Sequence, residues 1–82
     1  MTYEIESSKR FEREFKKLDS FIQKRIKKKF LEVAKDPTRY KHLHPPLQEY
    51  CRIWIDKLRI LFSYNIEKKI LYLEQIVFGH KY

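Results

Sequence analysis

Apolar and polar positions along the chain fall into two periods. Tyr3-Glu4-Ile5-Glu6 alternates, which predicts a short strand. Ser7-Ser8 follows, and a serine hydroxyl there can accept from free helix N–H groups. Phe11, Phe15 and Leu18 then recur at i, i+4 and i+7 among charged residues, predicting a helix from about Ser8 to Leu18. Asp19-Ser20 interrupts the pattern and caps a longer helix reaching about Lys35. Its apolar stripe is Ile22, Ile26, Phe30 and Val33, with Phe21 and Ala34 at the margin. Asp36-Pro37 ends it, because proline pushes the preceding residue out of the helical region. Pro45-Pro46 makes residues 36–49 an irregular loop. Strand patterns occupy 50–56, 58–64 and 70–78, with tight turns between them.

The order β-α-α-β-β-β predicts an α+β domain over residues 1–82. Two N-terminal helices pack on one face of a mainly antiparallel sheet of three or four strands. Side chains on a strand alternate between faces. If Cys51, Ile53, Ile55, Ile60, Phe62 and Tyr64 face the helices, then Arg52, Trp54 and Arg59 point away, with Leu61 and Ser63. The last run is apolar on both faces. Taking Leu71, Leu73 and Val77 as inward puts Tyr72, Glu74, Phe78 and His80 on the outer face. That face then carries guanidinium and aromatic groups suited to phosphates and unstacked bases.

Composition narrows the choice of partner. Nineteen Lys and Arg against eleven Asp and Glu give +8, so the chain attracts polyanions or acidic proteins. Residues 7–30 hold ten basic and three acidic side chains, with Lys27 and Lys28 in the densest run; these form a candidate track for a phosphate backbone. With 82 residues the core is thin, which excludes a deep walled active site and leaves a shallow one, or one completed by a partner. Cys51 is the single cysteine, read as a buried thiol; it excludes an internal disulfide and a cysteine-based metal centre. His42 and His44, two apart in a loop, are not a zinc pattern. No cofactor motif is present, no run reaches bilayer length, and residues 1–10 lack a signal-peptide core, so a cytoplasmic domain without a cofactor is expected.

The run from Arg52 to Phe62 resembles the central strand pair of the RelE/ParE superfamily of toxins. Val77-Phe78-Gly79-His80-Lys81-Tyr82 resembles that family's terminal basic and aromatic segment. Lys9 to Leu18 resembles its first helix, and Asp36-Pro37 its helix stop. The resemblance implies a toxin of a type II toxin–antitoxin pair. In the RelE branch such a toxin cleaves mRNA in the ribosomal A site, using the RNA's own 2′-hydroxyl as nucleophile. It implies catalytic roles for Arg59, His80, Lys81 and Tyr82, with either His80 or Lys81 in the terminal basic position. Arg52 and Trp54 would contact RNA. The partners implied are an acidic, RelB-like antitoxin, the ribosome and mRNA. The chain departs from the pattern in having Trp54 where one branch has a second lysine. It also has His44-Pro45-Pro46 where another branch carries a glutamate base, and Glu49 where a glycine is usual. Two alternatives follow: a ParE-like poison of DNA gyrase, and a catalytically degenerate homologue that only binds RNA or antitoxin.

Overall fold

The computed structural model describes residues 2–40, 42 and 49–78. The elements are β1 (Glu4–Ser7), α1 (Lys9–Lys16), α2 (Ser20–Val33), a single 3-10 turn (Pro37–Arg39), β2 (Cys51–Ile55), β3 (Leu58–Asn65) and β4 (Ile70–Phe78). The order is the one the periodicities predict. The 3-10 turn lies inside the segment expected to be irregular, and Asp36 starts it by accepting from the Thr38 N–H at 3.2 Å.

Both helices begin where a short polar side chain replaces the missing intrahelical acceptor. The Ser8 hydroxyl accepts from the Phe11 N–H at 3.0 Å, and the Asp19 carboxylate accepts from the Ile22 N–H at 2.9 Å. Such caps contribute about 1 kcal/mol each. Ile26, Phe30 and Val33 of α2 are buried, as is Phe11 of α1. Phe21 is not part of the stripe: it is 65% exposed, because the helix turns its side chain away from Ile22 and Ile26.

The sheet has four strands in the order β1-β4-β3-β2. β2, β3 and β4 are antiparallel neighbours, whereas β1 joins β4 in parallel, with Ile5 opposite Leu71. The helices cover the face carrying Ile53, Ile55, Ile60, Phe62, Leu71, Leu73 and Ile76. The contact is direct: the Phe30 ring meets the Phe62 ring edge-on at 5.6 Å, and Tyr40 packs on Phe62 from the side at 5.9 Å.

β4 contains a bulge that periodicity does not reveal. Leu61 pairs with Gln75 and Phe62 with Leu73, so Glu74 is the extra residue. The bulge reverses the phase of the rest of the strand. Ile76 is the buried residue, Val77 lies opposite Arg59, and Phe78 lies opposite the core residue Leu58. Val77 is therefore on the outer face and Phe78 on the helix side, the reverse of the sequence expectation. The assignment of His80 to the outer face rested on the same phase, and His80 lies outside the described residues. Helix α1 fixes the bulge. Ser8 donates to the Glu74 carbonyl at 2.6 Å, and the Glu14 carboxylate accepts from the Ile76 N–H at 2.9 Å.

Candidate functional site

The face of the sheet away from the helices is where the alternation of β2 and β3 directs its polar side chains. Its cross-strand rows are Trp54–Arg59–Val77 and Arg52–Leu61–Gln75, followed by Ser63 beside Tyr72. Arg52, Trp54 and Arg59 thus share one face, as the sequence predicts. Leu61 is buried although it belongs to the outer face and is not part of the core cluster. Its cross-strand neighbours Arg52 and Gln75 flank it, so it forms a small apolar floor under the rows.

Arg59 is the distinctive group on this face. Its guanidinium lies 5.8 Å from the centre of the Trp54 ring, a cation–π arrangement that fixes the plane of the fork. Its Nε is buried and has no hydrogen-bond partner, and Arg59 makes no ion pair among the described residues. A buried donor without an acceptor is costly unless something fills the position, and an anionic oxygen does so most favourably. Arg59 is thus a positioned cation on the open face, suited to an anionic oxygen.

Charge is divided across the outer face. Arg52 and Arg59 lie on the β2–β3 side. Glu6, opposite Tyr72, and Glu74, at the bulge, lie toward β1. The Glu74 carboxylate accepts from Ser63 at 2.7 Å, and its charge, followed by that of Glu49, raises the Tyr50 hydroxyl above its ordinary pKa. The Ser63–Glu74 hydrogen bond, with Tyr50 near enough to feel the Glu74 charge, is a polar grouping on the outer face that sequence reasoning missed. Alternation places Glu74 outward, but its position beside Ser63 depends on the bulge.

The two lysines of α2 expected to contact RNA, Lys27 and Lys28, line different grooves. Lys28 lines a groove with Phe21, Arg25, Lys29 and Trp54, beside the β2–β3 turn. Lys27 lines a different groove, on the α1 side, with its ammonium 5.9 Å from the centre of the Phe15 ring. That second groove holds about 430 Å³ and is lined chiefly by Ile5, Phe11, Phe15, Ile26 and Leu31. His80, Lys81 and Tyr82, and the His44-Pro45-Pro46 segment, lie outside the described residues.

Cys51 is buried, as expected, and burial pushes its thiol up to about 11. Its Sγ lies 3.7 Å from His42 Nδ1, and His42 Nε2 is 3.0 Å from the Tyr64 hydroxyl. A thiol held protonated in this way is a packing group, not a nucleophile. Among the described residues no three His, Cys, Asp or Glu side chains are grouped to hold a metal ion.

No family model matches the sequence, and no curated protein matches it. Solved structures do match, over nearly the whole chain. The toxin–antitoxin complex RelBE2 from Mycobacterium tuberculosis superposes with a TM-score of 0.85 at 18% identity, covering 99% of this chain and 100% of that one. The fold is that of the RelE toxins. The intact E. coli RelBE complex gives a TM-score of 0.81 at 20% identity over 96% of this chain and 99% of that one. The archaeal RelE–RelB complex from Pyrococcus horikoshii gives 0.80 at 15% identity, over 100% of both chains. At these identities the likeness to RelE is one of fold, and chemistry must be argued from the side chains present. No helix among the described residues is long and apolar enough to cross a membrane.

Proposed function

We propose that this chain is a RelE-like toxin that cleaves mRNA in the ribosomal A site, in the cytoplasm, by assisting attack of a 2′-hydroxyl on the adjacent phosphodiester. One observation carries the reading: the guanidinium of Arg59, set against Trp54 and without an ion-pair partner among the described residues, on an open sheet face beside Arg52. A pentacovalent phosphorane gains negative charge as it forms, and an oriented donor already in position stabilises that charge without reorganising. Arg59 supplies this donor, Arg52 holds a neighbouring phosphate, and Trp54 offers a stacking surface for a base.

Proton transfer falls to the terminal residues His80, Lys81 and Tyr82, which the family resemblance assigns to catalysis. A shallow site is adequate if the ribosome holds the codon, since the ribosome then supplies much of the orientation. The described structure contributes positioning and charge, and the reaction needs no cofactor. The solved relatives were crystallised with RelB. By the same logic this chain takes an acidic antitoxin, and the apolar groove rimmed by Lys16 and Lys27 is suited to an amphipathic acidic segment of it.

The test is cleavage of mRNA on programmed ribosomes by the purified chain, beside a gyrase supercoiling assay. Cleavage within the A-site codon supports the reading. Gyrase inhibition without cleavage gives the ParE-like alternative. Neither activity, with tight antitoxin binding, gives the degenerate one.

A further inference from the structure

The charge division on the outer face gives a bound RNA strand a direction. Toward β1 it would meet Glu6 and Glu74; toward β2 it meets Arg52 and Arg59 and then leaves the sheet at Trp54. Beyond that edge lies the groove of about 530 Å³ between α2 and the β2–β3 turn, lined by Phe21, Arg25, Lys28, Lys29, Trp54 and Asp56 among others. Two large aromatic side chains are exposed there, Phe21 at 65% and Trp54 at 52%. Each has a guanidinium over its ring: Arg25 lies 5.8 Å from the Phe21 centroid, and Arg59 lies 5.8 Å from that of Trp54. Arg25 is also tied to Asp56 at 3.4 Å, which braces α2 against the turn. Lys28 makes no ion pair among the described residues.

Two exposed rings lining one groove form a patch rather than scattered residues, and aromatic faces interleaved with cations are the composition that binds unpaired nucleotides. We infer that this groove is an accessory binding site for single-stranded RNA, in which bases stack on Phe21 and Trp54 and Lys28 meets the phosphate backbone. The strand held there is continuous with the segment lying over Arg59, so the groove would favour substrates with unpaired nucleotides on that side of the scissile bond. The inference rests on the RNA reading of the outer face but not on cleavage. Charge does not separate this occupant from an acidic protein segment, because Glu32 lines the groove and repels a carboxylate and a phosphate alike, and Asp56 is paired with Arg25. The two exposed rings do, because they offer stacking surfaces to bases that an acidic peptide segment does not fill.

Trp54 is the only tryptophan, so tryptophan emission reports on Trp54, at the junction of the groove and the outer face, and Phe21→Ala assigns a change in it to the groove. The probe is a short single-stranded oligonucleotide of mixed sequence, 2′-O-methylated throughout so that it cannot be cleaved. The expected result is saturable quenching of Trp54. Phe21→Ala should weaken binding roughly tenfold, the usual size of one lost stacking contact. Lys28→Ala should lower the salt slope by about 0.7, the value for one single-strand phosphate contact. A duplex of the same sequence should not quench Trp54. Phe21 is exposed, so its truncation leaves the core intact. Single-strand binding with unchanged Trp54 emission and unchanged affinity in Phe21→Ala would overturn the groove assignment. Equal quenching by duplex would overturn the requirement for unpaired bases. Quenching by a poly-glutamate peptide and not by the oligonucleotide would assign the groove to a protein. Oligonucleotide binding at the groove in a chain that never cleaves mRNA would sustain this inference and refute the proposed nuclease activity.

Discussion

Arg59 and Trp54 face each other across the β2–β3 ladder, with the guanidinium 5.8 Å from the centre of the indole. The pair is a single device: the ring lies against the fork, whose buried Nε has no acceptor among the described residues. Residues that act as a unit are non-additive when removed. Trp54→Ala should therefore slow mRNA cleavage by roughly tenfold, a cost of the size measured for cation–π contacts that are partly desolvated. Added to Arg59→Ala, it should cost less than it does alone, the remainder being the loss of base stacking on Trp54. A double-mutant cycle on single-turnover cleavage checks this, and strictly additive losses would show that the stacking has no part in positioning Arg59.

The separation of Lys27 from Lys28 gives a second prediction. Lys28→Glu reverses a charge in the groove beside Trp54, whereas Lys27→Glu reverses one on the other side of α2. Lys28→Glu should weaken ribosome association and flatten its salt dependence, and Lys27→Glu should do so less. Lys27→Glu should instead weaken the antitoxin complex, because it places a negative charge on the rim of the groove proposed for an acidic segment. Sedimentation with ribosomes at two salt concentrations, and antitoxin titration, separate the two effects. The reverse assignment would refute the division.

The bulge in β4 is held by side chains of α1, and this predicts a stability effect. Glu14→Ala removes the acceptor of the Ile76 N–H, and Ser8→Ala removes both a helix cap and the donor to the Glu74 carbonyl. Each should destabilise the domain by about 1–3 kcal/mol, the cost of leaving a partly buried backbone group unpaired. Urea unfolding measures this. A loss near zero for both would mean that the bulge stands without α1.

Most of this architecture is legible in the sequence, for physical reasons. Phe11, Ile26, Phe30 and Val33 sit at helical spacing, and Ile53, Ile55, Ile60 and Phe62 at strand spacing, because each set buries one face. The same alternation places Arg52, Trp54 and Arg59 together. The phase of β4 was not legible. Ile70 to Phe78 is apolar on both faces, so no alternation shows that Glu74 is an inserted residue, and Val77 and Phe78 exchange faces as a result. The parallel pairing of β1 with β4 is a long-range choice that no local pattern encodes. Phe21 and Ile22 are adjacent apolar residues at the start of α2, and only packing decides that Ile22 turns inward and Phe21 outward.

Alkaline pH should destabilise the fold. Burial raises the Cys51 thiol from an ordinary 9.0 to about 11, and burial also raises the Tyr64 hydroxyl. A raised folded pKa means that the native state holds its proton after the unfolded chain has lost it. Stability is thus unaffected below about pH 9 and falls as pH rises from about 9 to 11. In Cys51→Ala the decline over that range should be shallower, whatever the change in stability at neutral pH. A chemical-denaturation series from pH 7 to 11 tests this, and an unchanged slope in the variant would contradict the assignment to Cys51.

The central claim is that chemistry occurs on the outer sheet face, at Arg59. The most direct measurement is the single-turnover rate of mRNA cleavage on programmed ribosomes with saturating protein, comparing the parent with Arg59→Ala. The charge that Arg59 meets develops mainly in the transition state, so its removal should affect rate more than binding. The predicted result is a loss of roughly 10²-fold or more in rate, the scale of one oriented donor, with ribosome affinity changed only a few-fold. An Arg59→Ala chain that is folded and cleaves as fast as the parent would contradict the account.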